Sequence, residues 1–156
     1  MRVLGIDPGY DRLGVAIIEK INGKETVIYS GCIETDKKSA LSERLYTAGL
    51  ALQKIISEYQ PAAVGIETLF FNKNVKTAIG VAEARGMIIF LAKQANCLIF
   101  EHSPQQIKVA MTGHGRSDKQ AVWEMVKRLV ANVPGGALDD EYDAIAVGVT
   151  TLAHLR

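Results

Sequence analysis

The chain has 156 residues, of which 48% are hydrophobic and 22% are charged, and its formal net charge is +1. This length suits one domain with one core, and the composition excludes a disordered chain, a collagen-like repeat and a coiled coil. No stretch approaches the roughly 18 apolar residues of a membrane span, and the N-terminus lacks a signal-peptide pattern. We therefore expect a single cytoplasmic domain over residues 1–156, whose positive charge is confined to one face if it binds nucleic acid.

The first third of the chain has the pattern of three strands followed by a helix. Residues 3–6 are a short apolar run, and residues 14–19 and 26–33 are rich in β-branched residues on either side of a polar turn at Gly23. Apolar residues then recur at helical spacing over residues 42–59, until Pro61 stops the pattern. These signals predict an antiparallel meander with a helix that returns the chain.

The rest of the chain alternates further strands and helices. Residues 62–66 are an apolar run ending at Glu67, typical of a buried parallel strand, and residues 77–93 are so uniformly apolar that we expect a helix buried on more than one side. A strand over residues 98–101 precedes three helices, which cover residues 104–111 after a Ser103 cap, the stretch from a Ser117 cap to Leu129, and residues 140–155. The order β-β-β-α-β-α-β-α-α-α predicts one α/β domain with a mixed sheet flanked by helices.

Four carboxylates stand where these elements begin or end. Asp7 ends the first strand and Glu67 the fourth, and Asp140 and Asp143 lie one turn apart at the start of the last helix. Strand ends and a helix N-terminus converge at one edge of such a sheet, and carboxylates at this density suit Mg²⁺ or Mn²⁺. The chemistry they indicate is metal-assisted hydrolysis of a phosphate ester.

Each carboxylate also has a purely structural interpretation. Asp7 before Pro8 suits a turn, Glu67 suits a solvated strand end, and the acidic cluster at residues 139–143 suits a helix N-terminus. If the four do converge without metal, they repel one another, and at least one pKa is raised above its unfolded value. We then expect Asp143→Asn to stabilise the metal-free protein.

The sequence resembles the RuvC family of Holliday-junction resolvases, which have the ribonuclease-H-like fold. The resemblance runs the whole length of the chain, and its motifs occur in family order and spacing. They are Leu4-Gly5-Ile6-Asp7-Pro8-Gly9, Gly31-Cys32-Ile33, Ile66-Glu67 with Phe70 and Lys73-Asn74, Glu83-Ala84-Arg85-Gly86, Gln106-Ile107-Lys108 and Asp140-x-x-Asp143-Ala144.

The resemblance implies the composition of an active site. It implies that Asp7, Glu67, Asp140 and Asp143 ligate two Mg²⁺ ions per subunit, with Mn²⁺ as a substitute, and that one ion activates the attacking water. Asp139 and Asp140 both share a helix face with Asp143, by i,i+4 and i,i+3 spacing, and the family spacing favours Asp140.

Basic and aromatic residues supply candidate DNA contacts. Residues 72–93 and 103–130 each carry a net charge of +3, as phosphate binding requires. The resemblance implies that Lys108 and Lys119 contact the scissile phosphate region and that Phe70 stacks on an unpaired base. The full set of candidate DNA-binding residues is Phe70, Lys73, Lys76, Arg85, Lys108, Arg116 and Lys119. The neighbouring Phe71 and the apolar-flanked Trp123 are assigned to the core, and His114 to a loop.

Together with these residues, the resemblance implies a Mg²⁺-dependent endonuclease that nicks two opposed strands of a four-way DNA junction in recombination and repair. Two symmetric cuts need a homodimer, for which the apolar helix at residues 77–93 is the candidate surface. The resemblance also implies work with the RuvA and RuvB branch-migration proteins. Two alternatives are a nuclease of the same fold acting on RNA and a phosphate-binding domain of the actin-like ATPases, whose first strand also ends in an Asp-x-Gly turn.

Overall fold

A computed structural model describes residues 1–68 and 75–155, with the backbone alone at positions 75 and 76. Within these residues a mixed sheet of five strands forms the centre. The strands are β1 (Arg2–Asp7), β2 (Arg12–Ile21), β3 (Lys24–Glu34), β4 (Ala63–Glu67) and β5 (Leu98–His102). The first three are antiparallel neighbours, β4 runs parallel to β1 and β5 parallel to β4, which gives the order β3-β2-β1-β4-β5. The predicted mixed sheet is confirmed.

Helices cover both faces of this sheet. They are α1 (Leu41–Tyr59), α2 (Val75–Gln94), α3 (Pro104–Thr112), α4 (Lys119–Leu129) and α5 (Asp139–His154). Alternate residues of β1 point to opposite faces, so Leu4 and Ile6 pack with α1 and α2 while Val3 packs with α3, α4 and α5. Two apolar layers therefore hold the sheet between the two groups of helices.

Helix α5 lies very close to the sheet because β1 and β2 carry glycines beneath it. A methyl group at Gly5 would overlap the backbone of Ala144 and Gly148, and one at Gly14 would overlap the backbone of Asp140. Side chains at these two positions would force the helix away. The close approach fixes the N-terminal turns of α5 beside the end of β1, where Asp7 lies.

The helix starts agree with the sequence in one case and differ in another. Ser103 caps α3 through a capping box with Gln106, as predicted. The cap of α4 is Asp118, whose carboxylate accepts a hydrogen bond of 2.8 Å from the Ala121 amide, so the predicted Ser117 cap is wrong. The Ser117 hydroxyl is instead hydrogen-bonded at 2.7 Å to the hydroxyl of Thr112, which ties the loop between α3 and α4.

Helix α2 is buried along one stripe only. Gly80, Ala84 and Ile88 pack inward at i,i+4 spacing, whereas Ile79 and Phe90 are 66% and 65% exposed. The prediction that this helix is buried on more than one side is therefore wrong for the single chain, because α1 and the sheet cover only one flank. Helix α2 is apolar in composition, but within residues 1–68 and 75–155 no helix is long and apolar enough to cross a membrane.

Candidate active site

A cleft of about 440 Å³ opens at the C-terminal ends of β1 and β4. Asp7 and Glu67 end these two adjacent parallel strands, and Asp143 projects from α5 into the same cleft. Lys108 of α3 and Lys119 of α4 line it as well. The predicted convergence is thus confirmed for Asp7, Glu67 and Asp143, whereas Asp140 does not line the cleft, and the role of all four as metal ligands stays a prediction.

The electrostatics of the cleft centre on Asp7. The pKa of Asp7 is raised from 3.8 to about 8, first by burial and then by the negative charges of Asp143, Glu67 and Asp140, against the opposing effect of Lys119. The pKa of Glu67 is also raised, first by burial and then by Asp143. The expected rise in at least one carboxylate pKa is confirmed, although its largest single cause is burial rather than repulsion by any one neighbour.

Asp143 is held by two residues of α4. The Lys119 ammonium lies 2.7 Å from its Oδ2 atom, and the Trp123 indole Nε1–H donates a hydrogen bond of 2.9 Å to its Oδ1 atom. Burial works to lower the pKa of Lys119, but the hydrogen bond to Asp143 and the nearby acidic charge outweigh it, so that this pKa is raised. Trp123 packs against the core as predicted, yet its contact with Asp143 was missed in the sequence analysis. The i,i+4 spacing of Lys119 and Trp123, which puts both on one face of α4, was the available signal.

Asp140 lies at the edge of the acidic group. Its Oδ2 atom is 3.5 Å from the Arg12 guanidinium and 4.0 Å from the Cys32 thiol. Asp140 adds to the negative charge that raises the pKa of Asp7, whereas Asp139 is exposed at the start of the helix. This geometry favours Asp140 over Asp139 as the fourth acidic residue of the site.

The carboxylates fit a hard divalent cation in their chemistry. In the part of the chain that the structure describes, no three side chains of His, Cys, Asp or Glu are gathered closely enough to hold a metal ion. Asp143 faces Lys119 and Asp140 faces Arg12. The donor set is nevertheless carboxylate oxygen throughout, which Mg²⁺ prefers. At Asp7 the effects of Asp143, Glu67 and Asp140 each exceed the opposing effect of Lys119, so the lysine charge does not fully offset the acidic charge there.

The candidate DNA-binding residues divide into three groups. The first group is Lys108 and Lys119, which line the cleft, with Arg116, which is exposed in the loop between α3 and α4. His114 is exposed in the same loop, as predicted. The second group is Arg85 alone. The Arg85 side chain is only 12% exposed, donates to the Glu67 carbonyl and lies 3.0 Å from the Glu101 carboxylate. These contacts hold the end of β4, and the DNA contact of Arg85 stays a prediction.

The third group follows Glu67 in the chain. Phe70, Phe71 and Lys73 lie outside the described residues, and of Lys76 only the backbone is described. Their predicted roles stay predictions.

The fold and the cleft together define a class of protein. Three antiparallel strands followed by two parallel ones, with acidic residues on the first strand, the fourth strand and the last helix, characterise nucleases of the ribonuclease-H-like fold. The comparisons with known proteins are more specific. A family model described as crossover junction endodeoxyribonuclease RuvC matches residues 3–151.

Individual relatives agree with the family model. A crossover junction endodeoxyribonuclease RuvC of Caldicellulosiruptor saccharolyticus is 49% identical over 150 residues, which cover 96% of this chain and 90% of the relative. The corresponding protein of Finegoldia magna is 45% identical over 149 residues, covering 96% and 91%. A solved structure of T. thermophilus RuvC in complex with Holliday junction substrate matches with a TM-score of 0.92 at 27% identity, over 100% of this chain and 95% of that one.

The chain belongs to the RuvC family of crossover junction endodeoxyribonucleases, which are metal-dependent hydrolases. Membership in this family decides against the two alternatives from the sequence, a nuclease acting on RNA and a phosphate-binding ATPase domain.

Proposed function

We propose that this chain resolves four-way DNA junctions by cutting two opposed strands, in the cytoplasm, during homologous recombination and DNA repair. The observation that carries the proposal is a single cleft in which Asp7, Glu67 and Asp143 lie beside Lys108 and Lys119. Clustered carboxylates suit phosphodiester hydrolysis, and adjacent ammonium groups suit a phosphate substrate. The junction bound by the T. thermophilus relative supports the choice of substrate.

The residues that would hold two Mg²⁺ ions per subunit are Asp7, Glu67, Asp140 and Asp143, and Mn²⁺ would substitute. Bound there, the ions would lower the pKa of a water molecule and stabilise charge on the attacking and leaving oxygens. Asp7 must lose its proton to act as a ligand, and its raised pKa makes this loss a cost that the cation offsets. The affinity of the site for Mg²⁺ is therefore expected to increase with pH through neutrality.

The test of the function is a direct assay on DNA. The protein is incubated with a synthetic four-way junction and with a linear duplex of the same arm sequence, each with Mg²⁺ or with chelator. We expect paired nicks in the junction in the presence of Mg²⁺ only, and little cutting of the duplex. Equal cutting of both substrates, or cutting in chelator, would contradict the proposal.

Paired cuts need two sites, and we propose that the chain forms a homodimer. Exposed apolar side chains on α1 and α2 support this, namely Tyr46, Leu50, Ile79 and Phe90. Tyr46, Leu50 and Phe90 line one groove between α1 and α2, and an exposed apolar patch of this kind marks an interaction site. Sedimentation of the protein in the junction assay buffer checks the dimer, and paired cutting by a monomer would contradict it.

Work with RuvA and RuvB is part of the same proposal and is carried by the family resemblance alone.

The two cleft lysines are proposed to act on the reaction more than on binding. Lys119 lies beside Asp143, and the positive charges of Lys108 and Lys119 both act on Glu67, so each is placed to stabilise charge that develops on a phosphate in the cleft. We expect Lys108→Ala and Lys119→Ala to lower the cleavage rate about 100-fold, and junction affinity by less than about 10-fold. Single-turnover cleavage and gel-shift measurements on one junction separate the two effects. If a variant loses junction affinity and cleavage rate by the same factor, that lysine only contacts a backbone phosphate.

A further inference from the structure

Trp123 contacts both ionic groups on the α4 side of the cleft. Its Nε1–H donates to the Asp143 Oδ1 atom at 2.9 Å, and the Lys119 ammonium lies 5.0 Å from the centre of its ring. The same ring stacks on Tyr142, with centroids 5.7 Å apart and an angle of 30° between the planes. One indole therefore links the carboxylate and the lysine to the core.

The indole is suited to fix the orientation of Asp143. Its body packs against the apolar layer beneath α4, and stacking on Tyr142 restricts its rotation. A half-buried N–H group needs an acceptor, and here the acceptor is one particular oxygen of Asp143. The Asp143 side chain is only 22% exposed, so it has little freedom to turn while this bond is made.

The two oxygens of Asp143 consequently differ. Oδ1 accepts from a neutral donor that is anchored in the core, whereas Oδ2 faces Lys119, whose side chain is 55% exposed and long enough to move. Only Oδ2 can be exchanged between partners without loss of a core contact. The Lys119 ammonium also lies over the Trp123 ring, and this attraction favours a position of the ammonium near the cleft.

We propose that Trp123 is a positioning residue for cleavage, whose N–H presents Asp143 with Oδ2 toward the cleft and whose ring keeps Lys119 beside it. This inference rests on the proposed Mg²⁺ site. Groups that orient a metal-binding side chain are worth about 10-fold to 100-fold in metal affinity or activity. A tryptophan that only filled the core would affect stability alone.

The first test is Trp123→Phe, which keeps an aromatic ring for Tyr142 and Lys119 but removes the N–H donor. We expect kcat to fall about 10-fold and the Mg²⁺ concentration for half-maximal cleavage to rise about 10-fold, with junction affinity unchanged. Met125→Leu is the matched control, because Met125 lies on the same helix and packs partly buried against the same core. This control is expected to keep the wild-type Mg²⁺ dependence.

The second test uses fluorescence and needs no cleavage. Trp123 is the only tryptophan in the sequence, so the emission of the free protein reports on this position alone. We expect Mg²⁺ to change that emission over the same concentration range in which it raises the melting temperature, and Asp143→Asn to abolish the change.

The two tests separate the inference from the function on which it rests. A wild type that needs Mg²⁺, together with a Trp123→Phe variant of unchanged kcat and Mg²⁺ dependence, would overturn the role of Trp123 alone. If Mg²⁺ raises the melting temperature but leaves the tryptophan emission unchanged, the role of Trp123 alone would likewise be overturned. A wild type that neither needs nor responds to Mg²⁺ would overturn the proposed site and the inference with it.

Discussion

Asp7→Asn is expected to lower junction cleavage about 1,000-fold or more while leaving junction affinity within a few-fold of wild type. Asp7 is the carboxylate on which the charges of Glu67, Asp140 and Asp143 all act, so it stands at the centre of the acidic group. Loss of a central ligand removes several kcal/mol of transition-state stabilisation, and each 1.4 kcal/mol is about a factor of 10 in rate. Affinity for the junction comes instead from lysine and arginine contacts with phosphates, which the substitution leaves in place.

The measurement combines a gel shift in chelator with single-turnover cleavage in Mg²⁺, on one junction. Asp36→Asn is a matched control, because Asp36 is an exposed aspartate in the turn before α1 and asparagine can replace it as acceptor for the Lys38 amide. The control is expected to cut at the wild-type rate. If Asp7→Asn also does so, Asp7 is only a turn residue at the end of β1.

The part of the site that lies on the sheet could be predicted from sequence, because it depends on local pattern. An apolar run that ends in a carboxylate predicts a buried strand with an acidic end, and Asp7 and Glu67 both follow this rule. The register of the parallel pair, in which Ile6 lies opposite Ile66, then brings the two carboxylates together. Neither step requires knowledge of a distant side chain.

The polar contacts around the site could not be predicted, because they depend on how helices pack. The Trp123 bond to Asp143 exists only because α4 lies against α5, and the Arg12 contact with Asp140 only because glycines let α5 approach β2. Arg85 likewise reaches the Glu67 carbonyl because α2 packs beside β5, the strand next to β4. Charge alone suggested a DNA contact for that residue.

Helix α2 marks another limit of sequence patterns. Its residues are apolar on nearly every side, yet Ile79 and Phe90 face outward in the single chain. Hydrophobicity indicates that a surface avoids water but does not tell whether the same chain or a second molecule covers it.

The second large effect concerns stability, and Asp7→Asn is expected to raise the melting temperature of the metal-free protein at pH 8 by about 10 °C. The pKa of Asp7 is about 8 in the folded protein against 3.8 for an unperturbed aspartate, so the folded state retains a proton that the unfolded chain releases. Stability from this group is complete below about pH 4 and is lost as the pH rises to about 8. The free energy of unfolding lost in this way amounts to a few kcal/mol. In a chain of this length, each kcal/mol changes the melting temperature by about 3 °C.

Asp143→Asn is expected to behave differently, which corrects the expectation from sequence. Both oxygens of Asp143 are already paired, Oδ2 with Lys119 and Oδ1 with Trp123. The asparagine keeps an acceptor for Trp123 but loses the ion pair with Lys119. The stability lost with this ion pair offsets the stability gained because Asp7 is repelled less. We expect this variant to melt at or below the wild-type temperature in chelator at pH 8, and to lose the Mg²⁺ response.

Thermal melts at pH 5 and pH 8, in chelator and in millimolar Mg²⁺, decide the matter for wild type and both variants. Wild type in chelator should melt lower at pH 8 than Asp7→Asn, and the gap should narrow at pH 5, where folded wild-type Asp7 is protonated. Mg²⁺ should close the gap at pH 8 by stabilising only the wild type, since the variant lacks a ligand. If Asp7→Asn melts no higher than wild type in chelator at pH 8, the buried Asp7 carboxylate does not destabilise the fold, and its pKa is not raised.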